Sequence, residues 1–144
     1  MAKAAFEAAS EETETKLLRA EDAQPDDLLT ANGYLFAAPE NLAALSGAMK
    51  EFFDRCYYPV LGKLEGRPYA QMICAGSDGE SAVRQLARIA TGWRLKEVQS
   101  PLIVCSHAQT NAEILAPKTI TEAELVKCRE LGAALAAGLA MGAF

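Results

Sequence analysis

GYLFAAPENLAALSGAMKEFFDRCYYP, residues 33 to 59, reads as a strand, a loop and a helix in unbroken succession. Tyr34, Leu35 and Phe36 are large and apolar without polar alternation, the pattern of a short strand buried on both faces of a parallel sheet. Ala37-Ala38-Pro39 is expected to stop that strand, because proline lacks an amide hydrogen and pushes the preceding residue out of the helical region. From Leu42 the period becomes helical: Leu42, Leu45, Met49, Phe52 and Phe53 fall on one stripe, with Lys50, Glu51 and Asp54 off it. Pro39, Asn41, Ser46 and Gly47 therefore crowd the carboxyl end of a strand and the entry to a helix, the place where open α/β sheets bind ligands.

Working outward, the chain alternates. Met1–Ser10 is rich in Ala, Lys and Glu and favours helix. Thr13–Arg19, TETKLLR, predicts a strand, and Pro25 followed by two acids predicts a short helix start. After a surface connection, Leu61–Pro68, the run Tyr69–Ala75 (YAQMICA) predicts a second buried strand that enters the loop Gly76-Ser77-Asp78-Gly79. A helix follows over Ala82–Thr91, with Val83, Leu86 and Ile89 as its stripe and Gly92 as its stop. Trp93–Gln99 predicts a short extended segment, Leu102–Cys105 (LIVC) a further strand, and His107–Pro117 a loop without period. Thr121 with Glu124 three residues on predicts a capping box for a last helix along Leu125, Cys128, Leu131, Leu135 and Leu139. Alternating helices and strands imply a parallel sheet with right-handed crossovers in one domain over residues 1–144.

Composition removes several function classes. The formal charge is −5 and the Lys and Arg residues are scattered, which argues against a nucleic-acid backbone as partner. No apolar run approaches the ~20 residues needed to span a bilayer, and no signal peptide is recognisable, so a cytoplasmic location is expected. Cys56, Cys74, Cys105 and Cys128 have no CxxC spacing and are expected to be buried, reduced thiols; with one histidine, His107, no metal site is expected. Asp54-Arg55 reads as a surface ion pair or a catalytic pair, and Tyr57-Tyr58 as core plugs or an oligomer contact. No acid–base pair or nucleophile stands out.

Pro39-Glu40-Asn41 followed by Ser46-Gly47-Ala48-Met49-Lys50 and Phe52-Phe53-Asp54-Arg55 resembles the loop and helix after the third strand of flavodoxin-like FMN proteins, closest to the NAD(P)H:quinone oxidoreductases and NADPH-dependent FMN reductases. The resemblance implies a flavodoxin-like, three-layer α/β fold. Further along, Cys74–Gly79 is similar to the small-residue loop that lies along the flavin ring, and Ser106-His107 occupies the loop where some relatives place a histidine near the flavin. By resemblance, then, Pro39, Glu40, Asn41, Leu42, Gly76, Ser77, Asp78 and Gly79 contact FMN. His107 either shields the flavin and guides a quinone, or merely caps its own loop; the bland reading of Asn41 is a helix cap. The implied reaction passes hydride from NAD(P)H to FMN and electrons on to a quinone, chemistry that the cofactor carries while the protein supplies position and shielding. Its alternatives are an electron carrier without nicotinamide turnover and a structural protein that binds no flavin.

The amino terminus departs from the family pattern. Flavodoxin-like chains open with an apolar strand and a Ser/Thr- and Gly-rich loop whose amides hold the FMN phosphate; here Met1–Ala5 resembles the middle of the helix that follows. In the order 2-1-3-4-5 the first strand is central, and its loss would leave a gap of roughly 9.6 Å. Two expectations follow: a physiological chain about 25–30 residues longer, or a homo-oligomer whose sheet is rearranged near Glu14–Arg19 or completed by a partner.

Overall fold

The computed structural model describes residues 1–144. Helices α1 (Ala2–Glu12), α2 (Pro25–Thr30), α3 (Gly47–Val60), α4 (Glu80–Gly92), α5 (Asn111–Leu115) and α6 (Glu122–Ala140) alternate with strands β1 (Tyr34–Asn41), β2 (Ala44–Leu45), β3 (Pro68–Ala75), β4 (Lys96–Glu97) and β5 (Leu102–Cys105). Strand β3 is the centre of the sheet. It pairs in parallel with β1 from Tyr34↔Tyr69 to Pro39↔Cys74. On its other edge it pairs in parallel with β4 at its beginning and β5 at its end. β4 and β5 are thus two halves of one edge strand, interrupted across Val98–Pro101, where proline removes a ladder donor. Helices cover both faces, giving the three layers of a flavodoxin-like fold.

Why the faces differ follows from the pleat. Tyr34, Phe36 and Ala38 on β1 and Tyr69, Ile73 and Ala75 on β3 point toward α2, α3 and α4 and form the main core. Its centre is aromatic: Phe36 lies 5.2 Å from Phe53 and 6.1 Å from Tyr69, and Trp93 lies 5.2 Å from Phe53. Ring pairs in this range add about 0.5–1.5 kcal/mol each beyond the area they bury. The opposite face, with Met72, Leu35, Ala37 and Leu102, packs on Ala4 and Ala5 of α1 and Cys128 of α6. Gly132 of α6 presses on α1 so closely that a Cβ there would run into the Ala5 carbonyl, so the small residues of both helices set their spacing.

Two arginines fasten the α2 region, which has only Leu28 fully buried. Arg55 donates from Nη1 to the Ala23 carbonyl at 2.7 Å and from Nη2 to the Ala20 carbonyl at 2.9 Å. Arg67 donates to the carbonyls of Leu28, Leu29 and Ala31 and to the Tyr34 hydroxyl. The Arg67 bonds satisfy carbonyls at the end of a short helix that cannot be met from within it, and the Arg55 bonds tie down the segment before that helix.

Several sequence expectations are corrected. Thr13–Arg19 is not a strand: it runs without ladder partners from α1 toward α2, with Leu17 and Leu18 exposed, because β-propensity alone does not make a strand without packing against neighbours. β1 does not stop at Pro39 but continues to Asn41; proline is tolerated because β1 is an edge strand. α3 begins at Gly47 rather than Leu42, and Ser46, not Asn41, is its cap, with Oγ accepting from the Met49 amide. α5 forms where a loop was expected. The capping box at Thr121 is half made: Thr121 Oγ1 accepts from the Glu124 amide at 3.3 Å. Asp54 and Arg55 do not pair with each other but with Lys50 and Glu51, one turn away on the helix surface. All four thiols are free, and the two fully buried ones, Cys56 and Cys128, are on helices, while Cys74 and Cys105 are half-buried. The outer edge of β1 carries only the two-residue β2 at its tip.

Replacing Gly132 with alanine is expected to destabilise the chain by about 1–3 kcal/mol through overpacking against α1, read as a lower urea midpoint at constant slope. A second test concerns alkali. Burial, with Glu97 beside it, pushes the Tyr69 phenol up from 10.0 to about 12. A raised folded-state value means that this group's share of stability is complete below pH 10.0 and is lost as pH climbs to about 12. Melting temperatures should therefore fall across that window, and Tyr69→Phe should flatten the fall.

Candidate functional site

Because β1, β3 and β5 are parallel, their carboxyl ends share one edge of the sheet, and three loops emerge there side by side. The first is the β1–β2 hairpin, Pro39–Leu45. Its turn places Leu42 at φ 52° and Ala43 at φ 60°, left-handed geometry that neither residue type favours. Leu42 is fully exposed at the tip, an apolar side chain projecting into solvent from a strained backbone. The second is Gly76–Gly79, whose exposed residues Gly76, Ser77 and Asp78 end in buried Gly79. Gly79 has φ 83°, and a Cβ on it would lie 2.7 Å from the Ile103 Cγ2. Both its conformation and its space demand glycine. The third is Ser106-His107, with His107 exposed and at φ 53°. Three of the four non-glycine residues with positive φ therefore lie on these loops, the fourth being Arg94. Such strain concentrates where a loop is held for a ligand.

Hydrogen bonds join the loops. The Ser106 amide donates to the Ala75 carbonyl at 2.9 Å and the His107 amide to the Gly76 carbonyl at 2.7 Å. Cys105 Sγ lies 3.6 Å from the Asp78 carbonyl, and burial holds its thiol above the usual range. The Glu40 carboxylate turns away from solvent: Oε2 accepts from the Gly79 amide at 3.0 Å and Oε1 from the Ala82 amide at 3.3 Å. Gln85 Oε1 accepts from the Leu45 amide at 2.7 Å. All nine residues singled out in the sequence thus share one edge, with Pro39, Asn41, Leu42, Gly76, Ser77, Asp78 and His107 exposed and Glu40 and Gly79 turned inward. Gln85 was missed, since nothing in a helical Gln forecasts a partner 40 residues away.

Two hollows lie elsewhere. One of about 220 Å³ is lined by Val60, Leu61, Trp93 and Arg94, and one of about 180 Å³ by Phe53, Tyr57, Ile89 and Trp93. Both sit between the later turns of α3 and α4, and no residue of the three loops borders either.

The sequence model of a family described as NADPH-dependent FMN reductase matches residues 9–110. The chain belongs to that family. A flavodoxin from Aquifex aeolicus (strain VF5) is 37% identical over 67 residues, which cover 46% of this chain and 34% of that protein, so the chain matches about a third of that relative's length. Among solved structures, a flavodoxin from the domain Archaea superposes with a TM-score of 0.71 at 15% identity, over 96% of this chain and 87% of its own. Flavodoxin 1 from Bacillus cereus gives 0.71 at 17% identity, over 93% and 85%. An NADPH-quinone reductase from P. pentosaceus gives 0.59 at 15%, over 91% and 88%. These likenesses establish the flavodoxin fold.

At the loop edge, exposed Pro39, Leu42 and Gly76 are chemically compatible with a flavin ring. Exposed Pro39 and Leu42 offer apolar contact, and Gly76 leaves open space, with nothing within 4 Å of where a Cβ would stand. The phosphate end finds no such match. The α4 amino terminus, which follows the second loop, has the Gly79 and Ala82 amides engaged by Glu40, and α3 is capped by Ser46.

Leu42 tests whether the hairpin's strain serves binding. Leu42→Gly should stabilise the fold by about 1 kcal/mol, since left-handed backbone costs glycine little, and yet weaken FMN retention; thermal melts and flavin fluorescence titration read the two effects separately.

Proposed function

We propose that the three-loop edge binds the ring of FMN and that the chain acts in an NAD(P)H-dependent reductase that passes electrons to a quinone or similar acceptor. The observation that carries this reading is the juxtaposition of Pro39–Leu42, Gly76–Gly79 and His107 at the carboxyl edge of a parallel sheet, with backbone strain gathered on them. FMN, when bound, supplies the hydride and electron chemistry. The chain's part is to hold and shield the ring: Pro39 and Leu42 exclude water from one side, and Gly76 admits close approach of backbone. The backbone amides of exposed Gly76, Ser77 and Asp78 offer donors to negative charge on the ring, and His107 screens the edge from solvent or guides the acceptor. No side chain at the edge is arranged as an acid–base pair, which accords with a reaction whose bonds are made on a cofactor. Four free thiols fit a reducing cytoplasmic setting, and no helix is long and apolar enough to cross a membrane. A homo-oligomer is supported by the unpaired outer edge of β1 and by exposed Tyr58 and Leu61.

The test is a visible spectrum after FMN is added to the purified chain and excess flavin is removed, followed by steady-state oxidation of NADPH and NADH with a quinone. Retained flavin with turnover is the expected result. Retained flavin without nicotinamide oxidation would identify an electron carrier, and a colourless protein would exclude flavin binding by these 144 residues.

A further inference from the structure

We infer that Glu40 is a positioning residue, a carboxylate clasp that locks the β1–β2 hairpin to the amino terminus of α4 and thereby makes one rigid unit of the Pro39–Leu42 and Gly76–Gly79 loops. Three observations carry it. The carboxylate reaches two separate amides, those of Gly79 and Ala82, and so spans the last residue of the loop and the first turn of the helix. Glu40 stands directly opposite Leu45 in the hairpin, and the Leu45 amide is itself held by Gln85 on the next turn of α4, so both members of this cross-strand pair are fastened to the same helix. The α4 amino terminus has no side-chain cap of its own, because its cap position is Gly79. Glu40 thus performs from a distant strand the task that a local Ser, Thr, Asp or Asn performs elsewhere, and its negative charge opposes the positive end of the helix dipole.

The sequence resemblance places Glu40 among residues that touch FMN; in the folded chain both its oxygens are engaged by the protein. Its influence on the ligand is therefore exerted through the loops it holds. Release of the clasp would free the hairpin tip that bears Leu42 from Gly76–Gly79, and the two walls of the site would no longer keep a fixed spacing. This consequence rests on the flavin reading above; the clasp itself does not.

The experiment measures hydrogen exchange at the Gly79 and Ala82 amides in the chain without flavin, for wild type, Glu40→Ala and Glu40→Gln, and then FMN affinity for each. The expected result is exchange about tenfold or more faster in Glu40→Ala, as befits loss of a charge-assisted acceptor. Glu40→Gln, which keeps one neutral acceptor, should fall between. Sodium formate added to Glu40→Ala should slow both amides again by occupying the vacated position, an effect that a general loss of stability would not show. Unchanged exchange in both variants, or no response to formate in a folded Glu40→Ala chain, overturns the clasp. Should Glu40→Ala fail to fold, Glu40→Gln decides: amides protected as in wild type overturn the clasp, and faster exchange supports it. The Kd for FMN should rise about tenfold in step with exchange; an unchanged Kd beside fast exchange overturns the positioning role. A wild-type chain that holds no FMN refutes the flavin reading alone, because the exchange result is obtained without it.

Discussion

Strand β3 is the constraint on which the architecture rests. It is the one strand with parallel neighbours on both edges, β1 on one side and β4 and β5 on the other. Its residues are buried on both faces apart from half-buried Cys74. Even its one polar residue, Gln71, is fully buried and reaches Glu97 at 2.9 Å. Because β1, β4 and β5 all run parallel to it, these strands end on the same side, and the β1–β3 and β3–β4 connections cross a face through α3 and α4. The gathering of three loops at one edge is therefore imposed by the sheet rather than arranged residue by residue. What the individual residues add is spacing, through Gly79 beneath Ile103, and orientation, through the Glu40 carboxylate.

Different means hold the two helical layers. On one side large aromatic rings fill the volume between α3, α4 and the sheet, and shape decides the fit. On the other, α1 and α6 approach through alanines and Gly132, so closeness of backbone replaces side-chain bulk. The first arrangement tolerates replacement of one hydrophobic side chain by another of similar volume, whereas the second tolerates almost no added atom.

Much of this could be read in the sequence, where local pattern and final environment agree. Tyr34–Phe36, Tyr69–Ala75 and Leu102–Cys105 were legible as strands because continuous apolar character has few other uses in short runs. The stripes of α3, α4 and α6 were legible because each helix buries one face. The shared edge of the three loops was legible because each loop follows a strand of a parallel sheet. Thr13–Arg19 misled, since strand propensity alone does not bring a segment into a sheet, and this one leaves Leu17 and Leu18 exposed. The hairpin at Leu42 and Ala43 was hidden, as neither residue announces left-handed backbone in the way glycine or asparagine does. α5 buries none of its residues, so it shows no apolar period. It stands on local bonds alone, the Thr110 and Glu113 capping box and Lys118 on its last carbonyls, and Thr110-x-x-Glu113 was the signal that could have found it. The bond from Glu40 to Gly79 joins residues 39 apart and has no local signature at all.

The parallel ladder also governs how the chain acquires its shape in time. Tyr34 pairs with Tyr69 and Met72 with Leu102, so no strand of the main sheet finds its neighbour through a tight turn. A crossover of about thirty residues must close before the first ladder bond can form, and the entropy of that closure is spent before any pairing offsets it. Helices α3 and α4, which occupy the crossovers and are held by contacts within a few residues, shorten the distance to be searched. Closure of the β1–β3 crossover is therefore the costly step in building this sheet, a cost that a helical bundle held by local contacts does not bear.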